Sequence, residues 1–469
     1  MAKKILLINS RTPDSFKFGN RYLPLGLMYL ASALIKSGYN VELKDIQNET
    51  LNMTDGEIED YLDTNFKEYL KKVNPDFVGI GILFSLRFKS ALRIAKIVKE
   101  VLNGVPILFG GAHATLFPKA ILEEYSLYTD YIVMGEGDHT IVKLLNAHFN
   151  NGRLLDAIDG IAYKDNGRIA VNPKKDYIKD LDDLAFPNYE ILNIEDYYFD
   201  TSEWHNPKKI PFKYNFPVIT SRGCPSRCTY CALRLYHGSR YRTRSSKNVV
   251  DEIQYLYDKY DCRYISFIDD TFTLEKKRTL EIMSEIRKRK LHIQFDTSNG
   301  IEIRTVDEEL LEAMVEAGLC RVTVGIETGS EHLRNVILKK NLKNETIYNF
   351  FKMAKKYKHL RFAAFFMCGF PQETRETLDS TFEMIKSLPL DNLAVSILTP
   401  FYGTEMFQYC YENGLLDVDL KNLHNISDFS YRDSSFLKPL NLDPSYIIDF
   451  REKVLRYIKE KNFAEIENN

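Results

Sequence analysis

The chain has 469 residues, of which 44% are hydrophobic, and it carries 63 Lys and Arg against 65 Asp and Glu. This composition is that of a globular protein, and the length suggests two to four domains. The formal net charge of −2 provides no global basic field, so nucleic-acid binding would need a local patch. No apolar run approaches the ~18 residues of a membrane span, and the apolar start is too short for a signal peptide. We therefore expect a cytoplasmic protein without a membrane partner, and a nucleic-acid partner is not expected.

Short apolar runs alternate with helical patterns in the first third of the chain, which predicts a doubly wound α/β domain. Five runs are typical of buried parallel strands: Ile5–Ile8, Val41–Ile46, Phe77–Ile82, Pro106–Phe109 and Tyr131–Met134. We assign residues 1–146 to this Rossmann-like domain, whose ligand site would lie beyond the carboxyl ends of its strands. Residues 147–211 are predicted to be a linker with a hairpin around Asp165-Asn166-Gly167.

A second βα series occupies residues 212–410 and predicts a complete or incomplete parallel (β/α)6 barrel, with chemistry at the carboxyl-end loops. Its strand candidates are Pro217–Thr220, Tyr264–Ile268, His292–Phe295, Arg321–Ile326, Phe362–Met367 and Leu393–Leu398. The clearest helices between them are Asn248–Tyr260, Glu275–Arg289, Glu308–Ala317 and Glu373–Leu388.

Residues 411–469 are predicted to form a small, mostly helical region with a helix over Tyr446–Lys461. We expect this region to cap the barrel and to select the substrate. Its aromatic residues Phe429, Tyr431 and Phe436 are more typical of packing than of recognition.

The seven cysteines are unevenly distributed, since the first 223 residues contain none. Cys224, Cys228 and Cys231 then follow the first strand of the barrel, and thiolates with this C-x3-C-x2-C spacing can hold an iron–sulfur cluster. With three ligands one iron stays open, as in catalytic metal sites. Structural zinc would need a second ligand pair, for which only His237 is near, and an electron-transfer cluster would need a fourth cysteine such as Cys262.

The other four cysteines are scattered and lie in or beside apolar runs. They are therefore predicted to be buried core thiols.

The triplet, with the aromatic Tyr230 before its last cysteine, resembles the signature of the radical S-adenosylmethionine (SAM) superfamily. The resemblance continues at the ends of the second, fourth, fifth and sixth predicted strands, in Phe267–Phe272, Val324–Ser330, Phe366–Thr374 and Ile397–Thr404. It implies that Cys224, Cys228 and Cys231 hold a [4Fe-4S] cluster whose open iron binds SAM. The SAM-binding residues that it implies are Tyr230, Asp269, Asp270, Glu327, Gly369 and Pro371.

Within that set, the resemblance assigns the paired acids to the amino group of SAM, Glu327 to its ribose, and the Gly369 segment to its adenine. Each element also has a local interpretation. Asp269-Asp270 could be a helix N-cap, and glycines in strands also mark bulges. A carboxylate that follows an apolar strand, as Glu327 does, is harder to explain by packing. The run Arg240–Arg244 could be an anion patch, but it is more typical of a solvated loop, which the resemblance places near the cluster.

The segment Tyr22–Leu30 and the glycine-containing loops after the fourth and fifth predicted strands resemble the cobalamin-binding domain that often precedes such a barrel. The cobalamin-binding residues that this implies are Ser85, Leu86, Arg87, Gly110, Gly111, His113, Thr115, Gly135, Glu136 and Gly137. Such glycines alone are also found in the turns of any α/β domain. The string Asp-x-His-x-x-Gly is absent, so the implied cobalamin would have no histidine axial ligand, and Leu86 or Arg87 would face its lower side.

Together these resemblances imply a cobalamin-dependent radical SAM enzyme, and specifically a C-methyltransferase. A reductant such as flavodoxin or ferredoxin would drive SAM cleavage in an anaerobic setting. The deoxyadenosyl radical would take hydrogen from a small-molecule or peptide substrate, methylcobalamin would supply the methyl group, and a second SAM would remethylate the cobalt. The alternatives are a tetrapyrrole cyclase-like or ring-rearranging enzyme and a cluster-bearing electron-transfer module. Methylthiolation of tRNA or ribosomal protein is disfavoured, because the first 223 residues offer no cysteines for a second cluster.

Overall fold

The computed structural model describes residues 2–13, 22–150, 154–198, 208–416, 422, 437 and 441–467, which divide into two compact units. The first unit contains the described residues up to 198, residue 422 and Leu235–Gly238, and the second contains the remainder.

The first unit is built on a seven-stranded sheet with the order β2-β1-β3-β4-β5-β6-β7. Its strands are β1 (Lys4–Asn9), β2 (Asn40–Asp45), β3 (Phe77–Gly81), β4 (Ile107–Gly110), β5 (Tyr131–Val133), β6 (Ile161–Asp165) and β7 (Arg168–Asn172). The first five are parallel, which confirms the five predicted strands. Their order is that of a flavodoxin-like sheet, in which ligands bind where the strand order reverses, between β1 and β3.

Helices connect the parallel strands of this sheet. They are α1 (Leu25–Lys36), α2 (Ile46–Glu49), α3 (Asp55–Tyr61), α4 (Lys67–Val73), α5 (Phe88–Val101), α6 (Ala112–Leu116), α7 (Pro118–Tyr125) and α8 (Asp138–Phe149). A π-helical turn over Leu62–Phe66 joins α3 to α4. In α5 the residues Ala91, Ile94, Ala95 and Val98 recur at helical spacing and are all buried, so this face packs into the core.

The hairpin predicted within the linker belongs instead to the sheet of the first unit. Strand β6 pairs antiparallel with β5, and β7 pairs with β6. The connector that follows also packs on this unit, where the hydroxyl of Tyr197 donates to Asp45 (2.6 Å) and the N–H of Asn188 donates to Met28 (3.2 Å). The sequence pattern could not show this, because it does not reveal which strand edge a hairpin will cover.

The second unit contains six parallel strands in the order β15-β14-β13-β12-β11-β8. These strands are β8 (Phe216–Val218), β11 (Tyr264–Phe267), β12 (Gln294–Thr297), β13 (Leu319–Glu327), β14 (Arg361–Cys368) and β15 (Asn392–Ile397). Strands β8 and β15 are not paired with each other, so the predicted barrel is an incomplete one. Two short strands, β9 (Ser221–Arg222) and β10 (Arg242–Thr243), form a separate antiparallel ribbon.

Helices alternate with these strands as predicted. They are α10 (Ser246–Tyr260), α11 (Lys276–Lys288), α12 (Glu308–Ala317), α13 (Asn344–Ala354), α14 (Arg375–Ser387), α15 (Glu405–Glu412) and α16 (Pro444–Glu467), and the short helix α9 (Leu233–His237) belongs to the first unit from Leu235 onward. A π-helical turn over Leu333–Ile337 follows β13. The third strand of the barrel begins two residues later than predicted, at Gln294 rather than His292. Among the described residues, no helix is long and apolar enough to cross a membrane.

The last helix, α16, contains the predicted helix and lies along the edge strand β15. Arg451 donates to the carbonyl of Val395 (3.0 Å), and Lys461 donates to the carbonyl of Leu390 (2.8 Å). The helix thereby covers backbone groups that an open edge would leave unpaired. Phe429, Tyr431 and Phe436, for which we predicted packing, lie outside the described residues.

The scattered cysteines are core thiols, as predicted. Cys262, Cys320, Cys368 and Cys410 are each at most 1% exposed. The cysteine triplet is thus the group of thiols that remains for chemistry.

Candidate functional site

The cysteine triplet lies on a loop that leaves the short strand β9, beyond the carboxyl end of β8. Cys224 and Cys228 are half-buried, Cys231 is exposed, and all three are free thiols. The N–H of Cys231 donates to the carbonyl of Cys228 (3.2 Å), which folds the two residues into one turn. Desolvation of its sulfur raises the pKa of Cys231 to about 11 although the residue as a whole is exposed, and the charges of Cys228 and Cys224 add to the increase. The three thiols therefore lie within electrostatic reach of one another.

Thr229, between the first two cysteines of this turn and the last, anchors the loop. Its N–H donates to the carbonyl of Leu338 (3.1 Å), its hydroxyl donates to that of Ile337 (3.1 Å), and its own carbonyl accepts from Met406 (2.8 Å). Ile337 and Leu338 follow the fourth strand of the barrel, β13, and Met406 follows the sixth strand, β15. The loop is consequently shaped by the fourth and sixth strand ends and not by its own sequence alone.

The donor set suits an iron–sulfur cluster better than a single metal ion. Within the described part of the chain, no three His, Cys, Asp or Glu side chains converge as ligands of one ion. A [4Fe-4S] cluster takes one thiolate per iron, so its cysteines need not converge on a point. Three neighbouring thiols on one turn therefore fit such a cluster, with one iron left open. His237, the nearest candidate zinc ligand, has its Nδ1 3.7 Å from Glu136 in the first unit.

Asp269 was predicted to hold the amino group of SAM. Its carboxylate accepts hydrogen bonds from the residues that precede the cysteine loop. Its carboxylate accepts from the N–H of Thr220 (3.1 Å), from the hydroxyl of Thr220 (2.8 Å) and from the hydroxyl of Ser221. Asp269 is 1% exposed, and burial raises its pKa while these donors lower it. Asp269 thus fixes the start of the cysteine loop. Its neighbour Asp270 is half-buried and lies close enough to Cys231 to contribute to the raised pKa of that thiol.

Two arginines of the run are part of this anchor, whereas Arg240 is exposed. Arg242 and Arg244 are at most 5% exposed, and Arg242 pairs in the β9–β10 ribbon with Arg222. Arg244 forms a buried ion pair with Glu252 (2.5 Å) and also donates to the carbonyl of Ile219 (2.8 Å). Arg242 and Arg244 therefore hold the chain segments that flank the cysteine loop.

Glu327 ends β13 in an unusual conformation. Its φ angle is +69°, in the left-handed region that L residues seldom adopt, and the strand register shifts between Gly325 and Glu327. Its Oε1 lies 2.8 Å from Nζ of Lys340, and its charge adds to the effect of burial in raising the pKa of nearby Tyr230. The bulge thus turns a carboxylate toward the aromatic residue of the cysteine loop.

Lys340 was not predicted, and it brings a positive charge to the cysteines. Burial lowers the pKa of Lys340, but the charges of Glu327 and Cys228 outweigh burial and leave the pKa above its ordinary value. Gly325 leaves room for this ion pair, since a Cβ there would stand 2.9 Å from Oε1 of Glu327 and 3.0 Å from Nζ of Lys340. The sequence signal was the Lys339-Lys340 pair after an apolar turn, which is also typical of a solvated surface.

Gly369, Pro371 and Glu373 form the turn after β14. Gly369 has a φ of +84°, and a Cβ at this position would stand 3.3 Å from Ile397 and 3.5 Å from Ile447 of α16. The carboxylate of Glu373 accepts from the N–H groups of Gly369 and Phe370 and so closes the turn. Glu373 is 1% exposed, and burial raises its pKa from the ordinary value of 4.5 to about 8.

This carboxyl group should make stability depend on pH. Because its pKa is higher in the folded chain, the unfolded chain releases the proton first, and the stabilisation is present in full only below about pH 4.5. We expect the free energy of unfolding to fall by a few kcal/mol between pH 4.5 and about 8, relative to a Glu373→Gln variant, and then to level off. Equilibrium urea unfolding at several pH values measures the difference. Parallel curves for the two proteins would contradict the prediction.

The predicted cobalamin residues of the glycine loops lie at the carboxyl end of the sheet of the first unit. Local packing or hydrogen bonding already explains several of these residues. Gly111 has a φ of +101°, and a Cβ there would stand 2.6 Å from the carbonyl oxygen of Ile82. Gly137 packs against Leu30, and Gly135 against Lys174. Thr115 joins the two loops, because its hydroxyl donates to Gly111 (2.8 Å) and accepts from the N–H of Gly135 (2.9 Å).

Glu136 is 4% exposed and accepts from the N–H of Ile178 in the connector (3.0 Å), so it anchors that segment. Gly110, by contrast, faces open space, since the heavy atom nearest to a Cβ at this position would be the carbonyl oxygen of Val133 at 3.8 Å.

The loop after β3 presents different residues from those predicted. Leu86 and Arg87 are buried in a 3-10 turn over Ser85–Arg87. The guanidinium of Arg87 donates to Asn9 (2.7 Å) and to Thr12 (3.0 Å). The exposed residues of the loop are the preceding pair, Leu83 (54%) and Phe84 (47%).

His113 is also withdrawn from the surface. It is 1% exposed, its Nδ1 lies 3.0 Å from the hydroxyl of Ser85, and its ring packs on Phe88 and Phe117. The carboxyl ends of β3 and β4 therefore offer an exposed apolar pair beside the small Gly110. This surface fits the face of a flat macrocyclic ring better than it fits an ion.

Two family models match the chain, a B12 binding domain over residues 14–145 and the radical SAM superfamily over residues 218–385. An uncharacterized methyltransferase of Pyrococcus horikoshii is 34% identical over 415 residues, 88% of this chain and 84% of that protein. Cytidylyl-2-hydroxyethylphosphonate methyltransferase of Streptomyces wedmorensis is 28% identical, over 89% of this chain and 83% of that protein.

Among solved structures, the radical SAM methyltransferase TsrM from Kitasatospora setae, with cobalamin and a [4Fe-4S] cluster bound, matches with a TM-score of 0.69. The sequence identity is 19%, and the match covers 88% of this chain and 75% of that chain. At this identity the likeness shows a common fold.

Proposed function

Because the chain belongs to the cobalamin-binding radical SAM family, we propose that it cleaves SAM at a [4Fe-4S] cluster and transfers a methyl group from cobalamin to an unactivated carbon. The observation that carries the proposal is the cysteine turn, with three free thiols beside the Glu327–Lys340 pair. The relatives named as methyltransferases are matched over more than four fifths of their length, which favours methyl transfer over ring closure or rearrangement.

The residues that would hold the cluster are Cys224, Cys228 and Cys231. When bound, the cluster supplies the electron that breaks SAM, and the cobalamin supplies the methyl group. Asp269 and Thr229 hold the ends of the cysteine loop in place. This anchoring holds the loop that carries the thiols in one position.

The residues that would hold SAM are Asp270, Glu327 and the turn at Gly369 and Pro371, with Tyr230 between the cysteines and Glu327. A carboxylate at Glu327 can accept hydrogen bonds from ribose hydroxyls, and the left-handed turn at Gly369 lets the backbone approach a flat ring. Lys340 balances the charge of Glu327. Asp269 would act on SAM only through the loop that it anchors.

The residues that would hold cobalamin are Leu83, Phe84 and Gly110, with Gly111, Thr115, Gly135 and Gly137 shaping the loops. We propose that no histidine ligates the cobalt, since Nδ1 of His113 is engaged by Ser85 and its ring is enclosed by aromatic side chains. Arg87 is likewise held by Asn9 and Thr12. The lower face would then meet the apolar pair Leu83 and Phe84.

The proposed substrate is a small molecule or a peptide, and the proposed electron donor is a flavodoxin or ferredoxin in an anaerobic cytoplasm. The test is anaerobic reconstitution with iron, sulfide and hydroxocobalamin, followed by reduction in the presence of SAM. We expect about four irons and one cobalt per chain, and formation of 5′-deoxyadenosine. Retained iron without SAM cleavage would favour an electron-transfer module, and retained iron without cobalt would exclude the methylcobalamin mechanism.

A further inference from the structure

Arg334 is a fully buried arginine in the π-helical turn that follows β13. Its side chain is 0% exposed and is the largest of the fully buried side chains among the described residues. π-Helical turns of this kind occur frequently at functional sites. Burial lowers the pKa of Arg334 to about 10, so the guanidinium still carries its charge at neutral pH.

The guanidinium of Arg334 is satisfied by neutral oxygen atoms. Nε donates to the carbonyls of Ile326 and Thr328, both at 3.1 Å, and Nη2 donates again to Thr328. Nη1 donates to the carbonyl of Leu342 (2.9 Å) and to the side chain of Asn344 (2.7 Å). No carboxylate of the described residues is among these hydrogen-bond partners, so the desolvation of the charge is not offset by a direct ion pair.

Two of these carbonyls belong to the residues directly before and after Glu327. Arg334 therefore grips the backbone on both sides of the residue whose φ is +69°. A non-glycine residue in this region persists only where its surroundings over-determine it. The bidentate grip on Ile326 and Thr328 is such a constraint, because one planar group fixes the relative direction of the two carbonyls.

The segment after Glu327 is fixed by a second set of contacts. The hydroxyl of Thr328 lies 3.1 Å from that of Thr381 on α14, and the N–H of Gly329 donates to Thr381 (2.9 Å). A Cβ at Gly329 would stand 2.3 Å from the carbonyl oxygen of Ser380, so the two backbones are in direct contact. The segment that follows Glu327 is thus fixed in position. The hydrogen bonds from Arg334 then set the backbone conformation at Glu327 and, with it, the direction of the carboxylate.

We propose that Arg334 is a positioning residue that holds Glu327 in the conformation that binds SAM. The inference rests on the proposed function, since it takes Glu327 to contact the ribose of SAM. A simple packing role is a weaker explanation, because an apolar side chain could fill the same space beside Met384 without burying a charge. The guanidinium hydrogen-bonds to the carbonyls on both sides of Glu327, which an apolar side chain cannot do.

The test compares SAM affinity in the reconstituted full-length protein, read from the change that SAM causes in the EPR spectrum of the reduced cluster. We expect Arg334→Met to keep its iron content and to raise the Kd of SAM at least about tenfold. Arg334→Lys retains the charge without the planar grip and should fall between Arg334→Met and the wild-type protein. Leu256→Ala on α10 is the control, because it removes buried side-chain volume from the same unit outside this segment.

Combination with Glu327→Gln separates positioning from general stability. If Arg334 acts through Glu327, the double variant Arg334→Lys/Glu327→Gln should lose no more SAM affinity than Glu327→Gln alone. Additive losses, or a Kd for Arg334→Met equal to that of Leu256→Ala, would overturn the inference. If the inference about Arg334 fails in this way but Glu327→Gln still binds SAM weakly, the proposed function is retained. Absence of any SAM response in the wild-type protein would instead overturn the proposed function.

Discussion

Replacement of Cys228 by alanine is expected to reduce SAM cleavage by roughly 1,000-fold or more, because a cluster with only two protein thiolates would not be retained. Cys228 lies directly before Thr229, whose three hydrogen bonds fix the loop. Another residue of the loop therefore cannot easily move into the position of the missing thiolate. The remaining cysteines of the second unit are buried in the core. The measurements are iron and sulfide per chain after anaerobic reconstitution, and 5′-deoxyadenosine formed under reducing conditions.

The matched control is Cys262→Ala, which also removes one thiol. Cys262 is 1% exposed, and its Sγ lies 3.5 Å from the carbonyl of Tyr264, away from the triplet in the chain. Its iron content and SAM cleavage should equal those of the wild-type protein. A Cys228→Ala protein that keeps four irons and cleaves SAM at the normal rate would remove the basis for placing the cluster on this loop.

Replacement of Gly325 by alanine is expected to lower activity by roughly a hundredfold at subsaturating SAM, because the new Cβ would occupy the position of the Glu327–Lys340 pair. It would stand 2.9 Å from Oε1 of Glu327, closer than real Cβ contacts, and 3.0 Å from Nζ of Lys340, which is also tight. Lys340 can move more easily than Glu327, whose backbone Arg334 holds on both sides. We therefore expect the ion pair to separate, while the fold and the cluster remain. SAM titration and initial rates measure the effect.

Gly56→Ala is the matched glycine control. Gly56 lies in α3, nothing stands within 4 Å of a Cβ at that position, and its φ is ordinary. This variant should leave SAM affinity unchanged and stabilise the chain by about 0.4–1 kcal/mol. Wild-type SAM affinity in Gly325→Ala would show that the ion pair is not part of the SAM site.

The strands and the cysteine loop were predictable because their signals are local. Strands such as β1 and β11 are short runs buried on both faces, so their residues are mainly apolar. Cysteines at the spacing of Cys224, Cys228 and Cys231 need only one turn of chain to meet. Buried thiols such as Cys368 and Cys410 follow in the same way from the apolar runs beside them.

The parts that were not predictable depend on contacts between distant segments. Asp269 follows a strand end, as a ligand-binding acid would, and only the fold shows that Thr220 and Ser221 occupy its carboxylate. Lys340 and Arg334 lie in a stretch that ordinary amphipathic patterning would place on a helix surface. The register shift at Glu327 is a feature of pairing between β13 and β14, which one strand's sequence does not contain.

The anchoring of Thr229 has a consequence for how the protein is made. Its N–H meets Leu338 and its carbonyl meets Met406, two residues that a ribosome adds long after the cysteines have been synthesised. During synthesis the amino-terminal unit can fold as soon as its own strands are complete, whereas the cysteine loop lacks both partners at that stage. Its final shape must wait until the sixth strand of the barrel and the start of α15 have been made. If the loop holds a cluster as proposed, iron and sulfide would be delivered only after Met406 has been made, and a nascent chain halted before Met406 would present three thiols without a formed site.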